Sequence, residues 1–336
     1  MMQNSEIGIK KWAVLISLIV SIVLLFAKFG AYFLTGSASV LSDALESIVN
    51  IIAAGFAYYS LVLSTKPPDT EHPYGHGKIE FFSAGFEGAL IGIAALTIIF
   101  YAIRNIIQGP VIAEMDTGAA IIAGASVINL FLGLYLVRTG KRTKSLVLIA
   151  DGKHVLADCL TSFGVVISLI LVLVTKYVLF DPIIAIIIAL NILWTGKNLM
   201  RESIGGLMNE TNDEIINNIA AAFEKEKNNN PIWIDVHRLR YWKSGDKYMV
   251  DFHLTVPYYV TIQESHEALH RLEEIVKRTL STNEVEVLIH MDPCLPHFCK
   301  ICRMPECPVR KETKKKEILW DGKKIVSKAS YVVGNY

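Results

Sequence analysis

The sequence predicts a six-helix transmembrane domain followed by a small water-facing α+β domain. Three observations carry this. First, hydrophobic residues make up 52% of the 336 and charged residues 19%, whereas soluble domains average about 25% charged. Second, the apolar excess is confined to residues 12–200, where six stretches (12–35, 38–64, 81–108, 117–138, 149–176 and 181–200) each approach the roughly 20 predominantly apolar residues that cross a bilayer as a helix. Third, beyond Arg201 the chain reads as an ordinary soluble domain. The expected partition is 1–207 in the membrane, 208–293 as the α+β domain, and 294–336 as a Cys-rich, basic C-terminal tail.

The loops set the orientation. Lys10 and Lys11 precede the first span, and Lys66 and Lys78 separate the second and third. Arg138, Lys141, Arg142 and Lys144 separate the fourth and fifth; Lys197 and Arg201 lie at or just beyond the end of the sixth. With six crossings all four groups fall on one side. The opposite side has a 109–116 connection without Lys or Arg and a turn with only Lys176 at its edge. Basic loops stay in the cytoplasm, so both termini are expected there, in a bacterial inner (cytoplasmic) membrane. No cleavable leader is expected, because the first apolar run is too long. The net charge of +1 gives no reason to expect a nucleic-acid partner.

In the soluble part, Thr211–Glu214 and Thr261–Glu264 each fit a capping box, opening helices over 212–227 and 262–281. Strands are expected at 234–243 and 247–256, joined by a turn at Ser244-Gly245-Asp246, and at 284–291. Val250, Phe252 and Leu254 then share one face of the second strand, with Asp251 and His253 on the other. The order α-β-β-α-β implies a two-layer domain. Asp321-Gly322 between apolar residues predicts a short hairpin.

Polar groups inside spans are costly and point to function. Span two carries Asp43, Glu46, Ser47 and Asn50; span five carries Asp151, His154 and Asp158. Glu46 and Asn50 are four apart, as are His154 and Asp158, so each pair shares a helix face. Face to face, the four offer oxygen and nitrogen ligands suited to a four-coordinate divalent ion such as zinc. The plainer alternative is interhelical hydrogen bonding. In the loop after span two, His72 and His76 with Asp69 or Glu71 read equally as a second metal site or a solvated turn. His290 and Asp292 share a strand face. Cys294, His297, Cys299, Cys302 and Cys307 crowd into one stretch, a thiolate and imidazole set that favours metal over redox chemistry in a reducing compartment.

The segments Ser42–Asn50 and His154–Ser162, with six spans and an α+β tail, resemble the cation diffusion facilitator family over about residues 10 to 293. The resemblance implies efflux of a divalent transition metal, zinc by default, against entering protons, by alternating access in a homodimer. It implies that Glu46, Asn50, His154 and Asp158 form the transport site, although the family more often has Asp or His followed by Asp on span two. It also implies metal at Asp69, His72 and His76. A metallochaperone-like cytoplasmic domain would bind ions through His237, His253, His266, His290 and Asp292. Metal is then substrate and regulatory ligand, with no catalytic cofactor. The chain has no H-E-x-x-H, and no enzyme is expected. The rival reading is a membrane-anchored metal sensor signalling through its cytoplasmic domain.

Overall fold

The computed structural model describes residues 2–35, 38–108, 117–175, 177, 179–281 and 284–328. The chain divides into two compact units, Met1–Met208 and Asn209–Tyr336.

The first unit is built from α1 (Met2–Thr35), α2 (Ala38–Ser64), α3 (Ile79–Gln108), α4 (Thr117–Arg142), α5 (Leu146–Thr175) and α6 (Phe180–Leu207). Among the described residues, α1, α2, α3, α4 and α6 each contain a segment long and apolar enough to cross a membrane. α5 spans 30 residues and gathers Asp151, Lys153, His154 and Asp158 into its first half, leaving the apolar run to its second. Burial is inverted relative to a soluble protein. Phe26, Phe33, Phe100, Ile107 and Phe131 face outward, whereas Lys28, Glu80, Glu87, Asp151 and His154 are buried. Lipid is as apolar as a leucine side chain, so the bundle closes by tight packing and polar contacts. α3 lies along α6, α4 along α5, and α1 along α2, while α5 also touches α6, α3 and α2. The α4–α5 seam depends on Gly152, where a Cβ would stand 2.8 Å from the backbone nitrogen of Val137.

The second unit contains α7 (Asp213–Glu226), β1 (Asp235–Ser244), β2 (Lys247–Val256), α8 (Ile262–Leu280), β3 (Val285–Pro293), a 3-10 turn (Pro296–Lys300) and α9 (Gly322–Val326). The Thr261–Glu264 capping box forms at α8. At α7 the cap is Asn212, one residue later than the Thr211 box predicts, because the Asn212 side chain accepts from the N–H groups of Glu214 and Ile215. The sheet order is β1-β2-β3, with β1–β2 antiparallel and β2–β3 parallel through α8. One sheet face packs on α7 and α8 around Phe223, Phe252, Leu254 and Leu272. The tail completes that core: Trp320, 1% exposed, and Ile325 are buried in it.

The expected hairpin at Asp321-Gly322 is corrected. Asp321 caps α9, its side chain accepting from the Lys324 N–H at 2.7 Å. A short acceptor side chain before a helical turn satisfies an orphan donor, and among the described residues those that follow, to 328, pair with no strand.

Candidate metal centres

α2 and α5 meet across the bundle. Asn50 donates from Nδ2 to Asp158 Oδ2 at 2.7 Å, and its Oδ1 lies 3.0 Å from His154 Nε2. The i, i+4 spacing of His154 and Asp158 thus presents both to one amide on the facing helix. Glu46 lies on α2 one turn before Asn50; its side chain, like that of Asp43, lies outside the described residues. Asn50, His154 and Asp158 line a narrow polar cavity of about 10 Å³, with Ser21, Lys28 and Asp151. That is about the room one water molecule needs.

Two contributors were not singled out from the sequence. Glu87 on α3 is fully buried, and its Oε2 stands 3.7 Å from His154 Nδ1. Lys28 on α1 is buried at the cavity wall. The signal was there, since each is a charge inside an apolar span, but neither has a carboxylate, amide or imidazole three or four residues away on its own helix.

The loop residues Asp69, His72 and His76 converge. Asp69 Oδ1 lies 3.2 Å from His72 Nδ1, and Oδ2 lies 3.3 Å from His76 Nε2. The loop holds this shape through its backbone: Asp69 Oδ1 accepts from the N–H of His72 at 2.7 Å and of Glu71 at 3.1 Å. Gly75, at φ +81°, closes this turn, its own N–H donating to His72 O at 2.9 Å. The His72 backbone donor, aided by the two imidazoles, holds the Asp69 carboxyl below the usual aspartate range.

In the second unit, register builds the site. His237, His253 and His290 stand opposite one another on β1, β2 and β3. Asp292 Oδ2 lies 3.3 Å from His237 Nε2 and 2.9 Å from His253 Nδ1, while Oδ1 lies 3.4 Å from His290 Nε2. Behind them, Asp235 is fully buried, with Oδ2 3.5 Å from His237 Nδ1 and Oδ1 2.8 Å from Lys324 Nζ on α9. Carboxylate contacts of this kind fix the tautomer and orientation of a metal-ligating imidazole. His266 does not join the row. It lies on α8 with its Nε2 3.1 Å from that of His270, because its i, i+4 neighbour shares the exposed helix face.

Cys294, Cys299, Cys302 and Cys307 are free thiols that line one cavity of about 150 Å³. Burial pushes the Cys294 and Cys302 thiols up, and neighbouring thiols add to it. His297 stands apart from them, its ring against Phe298 with centroids 4.4 Å apart.

Comparison with known proteins gives consistent matches. Residues 14–208 match the cation efflux transmembrane domain, and residues 212–294 match the cation efflux protein cytoplasmic domain. An uncharacterized transporter of Synechocystis sp. is 36% identical over 267 residues, covering 79% of this chain and 84% of the relative. The manganese efflux system protein of Bacillus subtilis is 28% identical over 301 residues, 87% of this chain and 99% of the relative. The cadmium, cobalt and zinc/H(+)-K(+) antiporter of the same organism is 27% identical over 272 residues, 80% and 86% of the two chains.

Proposed function

This chain belongs to the cation efflux family and is a multi-pass membrane transporter of divalent metal cations, not an enzyme; from that premise we propose that it carries its ion on Glu46, Asn50, His154 and Asp158 and exchanges it for protons. The observation that carries the reading is the Asn50 bridge between His154 and Asp158 inside the bundle. An ion entering there takes Asp158 Oδ2 and His154 Nε2 and displaces both contacts with the amide. The amide oxygen and Glu46, one turn away, complete a four-ligand set. Imidazole binds metal only when neutral and carboxylates only when ionised. Protons arriving from the far side therefore compete with the ion for the same atoms, and ion and protons exchange without a separate proton wire.

Zinc is the leading cargo, since four oxygen and nitrogen ligands suit its tetrahedral preference. Manganese is the second reading. The neutral Asn50 amide beside two carboxylates is a hard donor set, and the manganese exporter aligns over nearly its whole length. The loop trio and the histidine row are regulatory sites in this account, and the family match of the cytoplasmic domain together with the edge strand β3 and its exposed Leu288 supports a homodimer. The basic loops support cytoplasmic termini. A sensor without transport would have no use for paired ligands inside the bundle.

The test is transport by reconstituted Asp158→Ala. Loss of metal flux with retained folding supports the site. Full activity overturns it.

A further inference from the structure

We propose that Cys294, Cys299, Cys302 and Cys307 form a four-thiolate site for one borderline or soft divalent cation, zinc by its chemistry, which fastens the tail to the end of the sheet. Three of the four cysteines lie beyond the cytoplasmic-domain match, which ends at residue 294.

Three short backbone features aim the sulfurs at one cavity. Cys294 closes the register of β3 against β2, its N–H donating to Val256 O at 2.8 Å. Cys299 lies in the 3-10 turn Pro296–Lys300, and Cys302 follows it, its N–H donating to Phe298 O at 2.9 Å. Cys307 sits in the next turn, its carbonyl accepting from Arg310 N at 3.3 Å. A buried cysteine is usually a small apolar filler. That role does not explain four of them around one space, nor the cations beside them. Arg310 and Lys311 line the same cavity, and the Lys311 N–H points at Cys299 Sγ at 3.4 Å. Four thiolates around a dication leave two net negative charges, and those two side chains offset them. N–H donation to sulfur and nearby cations both favour the thiolate.

The sulfurs frame the cavity without closing it. Among the described residues, the groups that close to within 4.8 Å are the loop trio and the His237–His253–Asp292 set. Zinc–sulfur bonds of about 2.3 Å require the ion to draw the thiols inward. The segment 296–311 holds only one five-residue turn of regular structure, so small backbone rotations suffice. Thiolates select zinc-like ions over hard ones. This site therefore differs in chemistry from the oxygen-rich transport site, and it binds zinc even where the cargo is manganese.

The experiment uses the full-length reduced protein in detergent, loaded with cobalt. The site predicts thiolate-to-cobalt charge-transfer bands in the near ultraviolet. These should bleach on adding zinc and be lost in the Cys299→Ser/Cys302→Ser variant. Carboxylate, amide and imidazole ligands elsewhere in the chain give no such bands. Zinc should also protect these four thiols of the wild type from alkylation, a measurement independent of whether the variant folds. Absence of the bands in cobalt-loaded wild type, alkylation indifferent to zinc, or disulfides in anaerobically purified protein would each overturn the proposal. None of these readouts depends on transport, so the site can fail while the transport assignment stands.

Discussion

In the proposed transport site, Asn50 is the residue expected to set ion preference. Its amide reaches both His154 and Asp158, a bridge no single helix reveals. The helix spacing made the His154/Asp158 pair legible, and Asn50 on the facing α2 meets both. Converting Asn50→Asp adds a charge to the ligand set, and the expected outcome is a lower KM for divalent ions with a shifted order across a zinc, manganese, cobalt and cadmium panel. Glu87 was not legible as a partner, because its contact with His154 runs between α3 and α5 while α3 has no other carboxylate, amide or imidazole within one turn of it. Carboxylates behind ligating imidazoles contribute about 10–100-fold in metal affinity or activity. Glu87→Gln should lower transport within that range, read as vesicle flux at limiting metal. At the loop, the depressed pKa keeps the Asp69 carboxyl ionised to a lower pH than an ordinary aspartate. Its contribution is present above the ordinary aspartate range and is lost only at lower pH. For an ion held at the loop trio, as proposed, an acid titration of bound metal should lose the Asp69 contribution at a lower pH than an ordinary aspartate would give.

At the scale of elements, the strands and helices of the cytoplasmic domain were readable because alternation and capping agreed. Register then aligned His237, His253 and His290, which the strand assignments alone could not have placed in one row. The tail was harder to read. Asp-Gly fits a hairpin turn and a helix cap equally well, and only the pairing of later residues distinguishes them. Here α9 caps on Asp321 and sends Lys324 to Asp235 behind His237. Trp320 sits in the domain core, so Trp320→Ala should cost about 3–5 kcal/mol, seen as a lowered unfolding midpoint and early proteolysis within 294–328. In the membrane unit, the close approach at Gly152 was invisible to hydropathy. Gly152→Val forces a side chain against the Val137 backbone and should destabilise by about 1–3 kcal/mol, measured by thermal unfolding in detergent.

At the scale of the whole molecule, the two units combine different physics. The membrane unit buries charges and exposes apolar side chains, while the second unit buries an apolar core and aligns His237, His253 and His290 on a sheet. Composition alone separated the two, because a single chain cannot satisfy lipid and water with one pattern. The central claim is that one buried set of groups exchanges a divalent ion for protons. Proteoliposomes with an imposed pH gradient and an internal pH dye test it most directly. The account predicts that adding zinc or manganese on the side that binds cargo drives metal uptake and a matching proton flux in the opposite direction, both absent in Asp158→Ala. Metal movement indifferent to the gradient and without proton flux, or flux preserved in Asp158→Ala, would contradict it.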